Sequence, residues 1–187
     1  MTNPRFVAVI PARDEADLLP KTLDALVIFP GLRHLLVADD GSRDATAALA
    51  AERGAEVVPA APPGKPGGKG NALLIGLRRA RALNPDAVLL CDADLGTSAT
   101  KLARLLDALD EDHPAIIAAF PPTTGGGFGL VKNLARRSIA RRTGYAPREP
   151  LSGQRALLAP ALDALPGVAP GFGAEVGMTL DLLSAGI

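Results

Sequence analysis

The chain has 187 residues, and its 20 basic and 20 acidic side chains cancel to a formal net charge of zero. That length fits one domain with a single core, and the charge balance excludes a general nucleic-acid binder, which carries a basic excess. With 48% hydrophobic residues, 3% aromatics and no Trp, the core is built from Leu, Val, Ile and Ala, and a flat base-stacking surface is excluded. The single Cys91 rules out an intrachain disulfide and fits a reducing cytosol. No apolar run approaches the ~18 residues of a membrane span, and the start lacks the apolar stretch of a signal peptide. A soluble, cytoplasmic protein is expected, with docking at the inner face of a membrane left open.

In chain order, residues 5–11 (RFVAVIP) form a short apolar run that predicts a buried strand. Residues 16–27 place Leu19, Leu23 and Leu26 on one helical face. Residues 32–38 predict a strand ending at Asp39-Asp40-Gly41-Ser42, and residues 44–53 an Ala-rich helix capped by Ser42 or Asp44. Residues 55–59 predict a third strand, 69–83 a helix, and 87–91 (AVLLC) a fourth strand running into Asp92-Ala93-Asp94. Thr97 or Ser98 is placed to cap a helix through Leu109, and residues 115–120 predict a fifth strand. A basic amphipathic helix over 130–143, a strand over 152–159 and a helix over 174–183 complete the pattern. Gly and Pro gather in two loops, residues 60–70 and 121–129. Strands alternate with helices to about residue 120, which predicts an α/β fold with a mostly parallel central sheet and helices on both faces. The pattern stops soon after its last helix with no closing element, which leaves room for a missing C-terminal portion.

Three carboxylate-rich segments follow three apolar strands: Arg13-Asp14-Glu15, Asp39-Asp40 and Asp92-Ala93-Asp94. In open parallel sheets ligands bind beyond the carboxyl ends of the strands, so all three are expected at one edge. Such crowding of negative charge requires a countercharge. A divalent cation, Mg²⁺ or Mn²⁺, held by Asp92 and Asp94 is the simplest one, with Lys69 and Arg13 helping. Two carboxylates are too few to enclose it, and diphosphate oxygens with water complete the shell. The bland alternative for Asp92-x-Asp94 is a solvated turn. Asp40 is favoured as acceptor for the N–H of a base imide. Gly67-Gly68-Lys69-Gly70-Asn71 opens a helix, where backbone N–H groups and Lys69 suit a phosphate; its spacing is not that of a P-loop.

In this order, VAVIPARDEADLLPKTLDAL, LLVADDGSRDAT, GGKGNALLIGL and AVLLCDADLGTS resemble the family-2 glycosyltransferases. The nearer likeness is to the branch containing dolichyl-phosphate mannose synthase and glucosyl-3-phosphoglycerate synthase. PLSGQRAL and GFGAEVGMTLDLL agree with that branch. The resemblance implies a GT-A fold over residues 1–187, with 1–120 binding a UDP- or GDP-sugar and 121–187 on the acceptor side. It places Pro11, Arg13 and Glu15 in the nucleoside pocket, Asp40 on the base and Lys69 near the donor. Asp92 and Asp94 then flank ribose, diphosphate and metal, and Glu175 faces the sugar or acceptor. Three departures stand out: Asp14 where relatives usually have Asn, Gly96 where many lipid-phosphate enzymes have Gln, and no His downstream of the GFGAE segment. His34 and His113 both lie upstream and read as surface or packing residues.

For the acceptor side, the glycine loop 125–129 is a candidate lid. Lys132, Arg136, Arg137, Arg141 and Arg142 read first as a solvated helix face, and second as a docking face for a small phosphorylated acceptor or a polyprenyl phosphate. Ser152, Gly153, Gln154 and Arg155 are further acceptor candidates. Asp94 and Glu175 are the catalytic candidates, Glu175 as base where the acceptor is a hydroxyl. An oligomer is left open. The competing readings are a sugar-phosphate nucleotidylyltransferase, which wants a Gly-rich loop where Pro11-Ala12-Arg13 stands, and a non-catalytic nucleotide-sugar-binding protein.

Overall fold

The computed structural model describes residues 4–119, 128–168 and 173–187. Its strands are β1 (Phe6–Ala12), β2 (Leu32–Asp40), β3 (Glu56–Ala61), β4 (Ala87–Leu90), β5 (Ala115–Ile117) and β6 (Arg155–Leu158). They form one sheet in the order β3-β2-β1-β4-β6-β5. The β1–β2, β1–β4 and β2–β3 pairs are parallel, and β6 runs antiparallel to both β4 and β5. The helices are α1 (Leu19–Leu26), α2 (Thr46–Glu52), α3 (Lys69–Arg81), α4 (Ala103–Asp107), α5 (Phe128–Thr143), α6 (Ala159–Asp163) and α7 (Gly173–Ser184).

The unbroken apolar run of β1 is explained by its central place, because both of its faces are covered. Phe6, Ala8 and Ile10 enter a core shared with α1 and Phe29, while Val7 and Val9 enter a second core with α3, α6 and α7. β4 divides in the same way, with Leu89 in the first core and Val88 and Leu90 in the second. Each of these Phe, Ile, Leu and Val side chains contributes about 1.5–3 kcal/mol by leaving water. α3 lies close on β1: a Cβ at Gly76 would stand 2.5 Å from Val9 Cγ1.

The expected alternation holds through β4 and then departs. β5 does not lie beside β4, because β6 inserts between them from forty residues downstream. β5 is three residues long, and Phe120, the end of the expected strand, lies outside the described residues. The helix expected from Thr97 or Ser98 is a 3-10 segment, Ala93–Leu102, kinked at Gly96 and followed by α4. Neither residue caps it, and the Ser98 hydroxyl instead donates to the Leu95 carbonyl. Ala45 occupies the N-cap position of α2, although Asp44 accepts the Thr46 N–H at 2.9 Å. α6, with Pro160 in its first turn, has no counterpart in the sequence reading. In α5 the apolar stripe is not covered: Leu130, Val131 and Leu134 face outward, while Ile139 is buried. Among the described residues no helix is long and apolar enough to cross a membrane.

Candidate active site

The three acidic segments meet as expected, in a cleft of about 390 Å³ beyond the carboxyl ends of β1, β2 and β4. Pro11, Arg13 and Glu15 line it from the end of β1, Asp40 from β2, Lys69 from α3, and Asp92 and Asp94 from the segment after β4. The turn after β2 holds the loop after β1. Ser42 Oγ accepts the Asp14 N–H at 3.0 Å, Thr46 Oγ1 the Glu15 N–H at 2.8 Å, and Asp44 Oδ2 the Ala16 N–H at 3.0 Å. In return the Asp14 carboxylate accepts the Arg43 N–H at 2.7 Å. Asp14 has φ +54, a left-handed conformation that Asn and Asp tolerate through such local bonds. The spacing of Ser42, Asp44 and Thr46 was the available signal for this lacing: three side-chain acceptors on alternate residues.

Asp92 and Asp94 part company. Asp92 Oδ1 lies 2.7 Å from Lys69 Nζ, and its Oδ2 accepts the Gln154 amide at 2.6 Å. Lys69 also lies 2.9 Å from Glu175 Oε1. Burial opposes the charge on Lys69, but Asp92 and Glu175 outweigh it and hold the ammonium above the usual lysine range. Asp94 is exposed on the cleft wall, with no hydrogen-bond or ion-pair partner for its carboxylate among the described residues. Across the cleft the Glu15 carboxyl is raised above its ordinary value by burial first, then by Asp94, Asp44, Asp92 and Asp14. The cleft therefore carries uncompensated negative charge at the Asp94 end. Hard carboxylate oxygens in that state fit a divalent cation whose remaining ligands come from elsewhere. Among the described residues no three His, Cys, Asp or Glu side chains assemble as a ligand set. Of the expected Asp92–Asp94 metal pair, Asp92 faces donors with both oxygens, and Asp94 has none among the described residues.

Asp40 is buried, and its two oxygens accept the Gly67 and Gly68 N–H groups, each at 2.8 Å. The anion at the start of α3 is therefore a side chain of the protein, and these two amides are not free for a phosphate. Asp40 still lines the cleft, but it first serves as a latch that holds the glycine loop and sets Lys69.

The acceptor candidates lie in buried, hydrogen-bonded positions. Ser152, Gln154 and Arg155 are all buried. Ser152 Oγ lies 3.2 Å from Gln154 Oε1, which leaves the Gln154 amide to face Asp92. A Cβ at Gly153 would stand 2.7 Å from Asp92 Oδ1 and 2.9 Å from Lys69 Nζ, so the glycine makes room for that ion pair. Arg155 is fully buried. It donates to the Ser152 carbonyl at 3.0 Å, to Thr179 Oγ1 at 3.0 Å and to the Glu175 carbonyl at 2.8 Å. Burial pushes its guanidinium down to about 10 against the pull of Glu175. Glu175 is buried behind Lys69 with its carboxylate on that ammonium, so it is not open as a base. Lys132 pairs with Glu149. His113 pairs with Asp110 at the surface, and His34 is exposed near the start of β2; neither lines the cleft. The candidate lid falls mainly on residues 125–127, outside the described residues.

The family described as "Glycosyl transferase family 2" matches residues 7–158. The glycosyltransferase AglJ of Haloferax volcanii is 29% identical over 162 residues, covering 84% of this chain and 52% of that protein. Glucosyl-3-phosphoglycerate synthase from Mycobacterium tuberculosis in complex with UDP is similar with a TM-score of 0.77 at 26% identity, covering 97% of this chain and 66% of that one. The same enzyme in complex with Mn²⁺, UDP and glucosyl-3-phosphoglycerate gives a TM-score of 0.76 at 28% identity over the same shares. The chain thus spans about half the length of the first relative and just under two thirds of the solved ones.

Proposed function

The chain belongs to glycosyl transferase family 2 and has the GT-A fold, and from that premise we propose that it moves a glycosyl group from a nucleoside diphosphate sugar to a phosphate-bearing or hydroxyl acceptor. A UDP-sugar is the first donor to test, because the similar synthase is seen with UDP and with UDP-glucose. The observation that carries the reading is the convergence of Arg13, Glu15, Asp40, Lys69, Asp92 and Asp94 in one cleft, with Asp94 unpaired among the described residues.

Pro11 and Arg13 shape the nucleoside end, and Asp40 keeps the glycine loop closed so that Lys69 stays beside the diphosphate. Asp94 would hold a divalent cation, Mn²⁺ or Mg²⁺, which when bound neutralises charge growing on the leaving diphosphate. Asp92, fixed between Lys69 and Gln154, orients that ammonium. The protein's work is then positioning and charge compensation. A phosphate acceptor brings an oxygen already ionised, which suits a cleft whose buried carboxylates are committed, Asp40 to the glycine loop and Glu175 to Lys69.

Calorimetry of UDP and GDP with and without Mn²⁺ tests this. Mn²⁺ should tighten UDP binding in the wild type. Asp94→Ala should remove at least about 10-fold of that gain, since even an outer partner of a metal ligand is worth that much. Its unfolding free energy should stay within about 0.5 kcal/mol, as for other exposed positions. Unchanged metal-dependent binding in Asp94→Ala would overturn the assignment.

A further inference from the structure

Thr22 lies in the middle of α1 and is fully buried, on the face that carries Leu19, Leu23 and Leu26. An apolar face has no use for a hydroxyl: Val has nearly the same shape and needs no partner in a dry core. Thr22 has two partners from one distant segment. Its Oγ1 donates to the Ala93 carbonyl at 2.7 Å and accepts the Gly96 N–H at 2.8 Å. The Leu18 carbonyl, at 3.3 Å on its own helix, is the weaker candidate for the same single hydrogen.

Ala93 and Gly96 bracket Asp94. We propose that Thr22 is a positioning residue for the cation site: one buried hydroxyl ties both ends of Ala93-Asp94-Leu95-Gly96 and so sets where the Asp94 carboxylate stands. The inference rests on the reading of Asp94 as the residue that holds the cation.

A second observation supports it. Gly96 has φ +54 and ψ −139, a region that essentially only glycine occupies. No atom lies within 4 Å of where its Cβ would be, so glycine is not required there by lack of space. It is required by the backbone conformation, and that conformation accompanies an N–H turned inward to Thr22. The same kink breaks the 3-10 segment just after Asp94. An unusual backbone and a buried hydroxyl thus serve one contact, and the segment between its two ends carries the open carboxylate of the cleft. A group that holds a cation needs to stand within about 0.5 Å of its productive place.

The test compares Thr22→Val, Thr22→Ser and Gly96→Ala in the whole chain. Mn²⁺ affinity is measured in the presence of saturating UDP, UDP affinity without metal, and amide exchange residue by residue. Thr22→Val is expected to lower Mn²⁺ affinity by about 10-fold or more and to leave metal-free UDP affinity within about a factor of two. Exchange should quicken at Asp94 and Gly96 and stay unchanged in β1 and β4. Thr22→Ser keeps the hydroxyl and should rescue all three readouts. Gly96→Ala attacks the same bond from the other side and stands in if Thr22→Val does not fold. The double variant should lose no more Mn²⁺ affinity than the worse single one, because the Gly96 contact that Gly96→Ala disturbs is already lost in Thr22→Val.

Wild-type Mn²⁺ affinity in both Thr22→Val and Gly96→Ala would overturn the proposal. So would losses that multiply in the double variant, a Thr22→Ser as poor as Thr22→Val, or exchange that quickens equally through β1 and β4. If the wild type itself shows no Mn²⁺ dependence, the functional reading fails, and the exchange data still report whether Thr22 holds the segment.

Discussion

The part of the molecule built from β1 to β4 and the part built from β5, β6 and α5 to α7 place their polar groups in opposite ways. In the first, the buried middles of the strands are apolar, and charges gather at the strand ends, facing the cleft. In the second, Ser152, Gln154, Arg155, Glu175 and Thr179 are all buried behind that cleft. The three other buried polar side chains among the described residues, Thr22, Asp40 and Thr46, each bind the backbone of a cleft segment. The first region therefore supplies the charges, and buried polar side chains hold them in place. A buried polar group is costly unless fully bonded, and these side chains are bonded to one another and to the backbone.

Arg155→Ala tests this contrast most severely. It removes the donor of the Ser152 carbonyl, leaves the Glu175 carbonyl to the Thr179 hydroxyl alone among side chains and opens a large void, so a loss on the order of 3–5 kcal/mol is expected in denaturant unfolding. If Arg155 instead contacted an acceptor, the variant would keep its stability and lose only acceptor affinity. Asp40→Ala comes next. It removes two charge-assisted bonds to Gly67 and Gly68, and a cost of about 2 kcal/mol is expected, as for loss of a strong helix cap. UDP binding should weaken with it, because the loop that sets Lys69 is freed. A variant of normal stability that merely ceases to discriminate bases would make Asp40 a base contact and not a latch.

The pattern of what was legible follows the same division. Parallel strands covered on both faces read as continuous apolar runs, so β1, β2 and β4 and the acids at their ends stood out. That was enough to bring Glu15, Asp40, Lys69, Asp92 and Asp94 to one edge. The insertion of β6 between β4 and β5 was not legible, because it depends on pairings between distant residues, Leu89 with Ala156 among them. The burial of Arg155 was not legible for a related reason: fully buried arginines are rare, and nothing local distinguishes one from an exposed arginine. Nor does Asp92-Ala93-Asp94 reveal which acid is open, since that is decided by Lys69, Gln154 and Glu175 from three distant segments. Thr22 sits in an apolar helical pattern as a plain exception, and its partners come from beyond residue 90.

Glu15→Gln is the smallest expected effect and the one that probes the uncompensated charge directly. The Glu15 carboxyl is raised above its ordinary value of 4.5 by burial and by the neighbouring acids, Asp94 first among them. An acid whose folded value is raised binds its proton more tightly folded than unfolded. Its ionised form therefore costs stability, fully so above the folded value, and the cost vanishes as pH falls through the folded value and below 4.5. At neutral pH Glu15→Gln should unfold at a higher temperature than the wild type, and the gap should close on acidification through that window. Mn²⁺ with UDP should also raise the unfolding temperature of the wild type more than that of Glu15→Gln, because a cation at Asp94 relieves the same repulsion. A variant less stable than wild type at neutral pH, or a gap that widens toward acid, would mean that the cleft already neutralises its own charge, and the case for a cation beside Asp94 would lose its electrostatic ground.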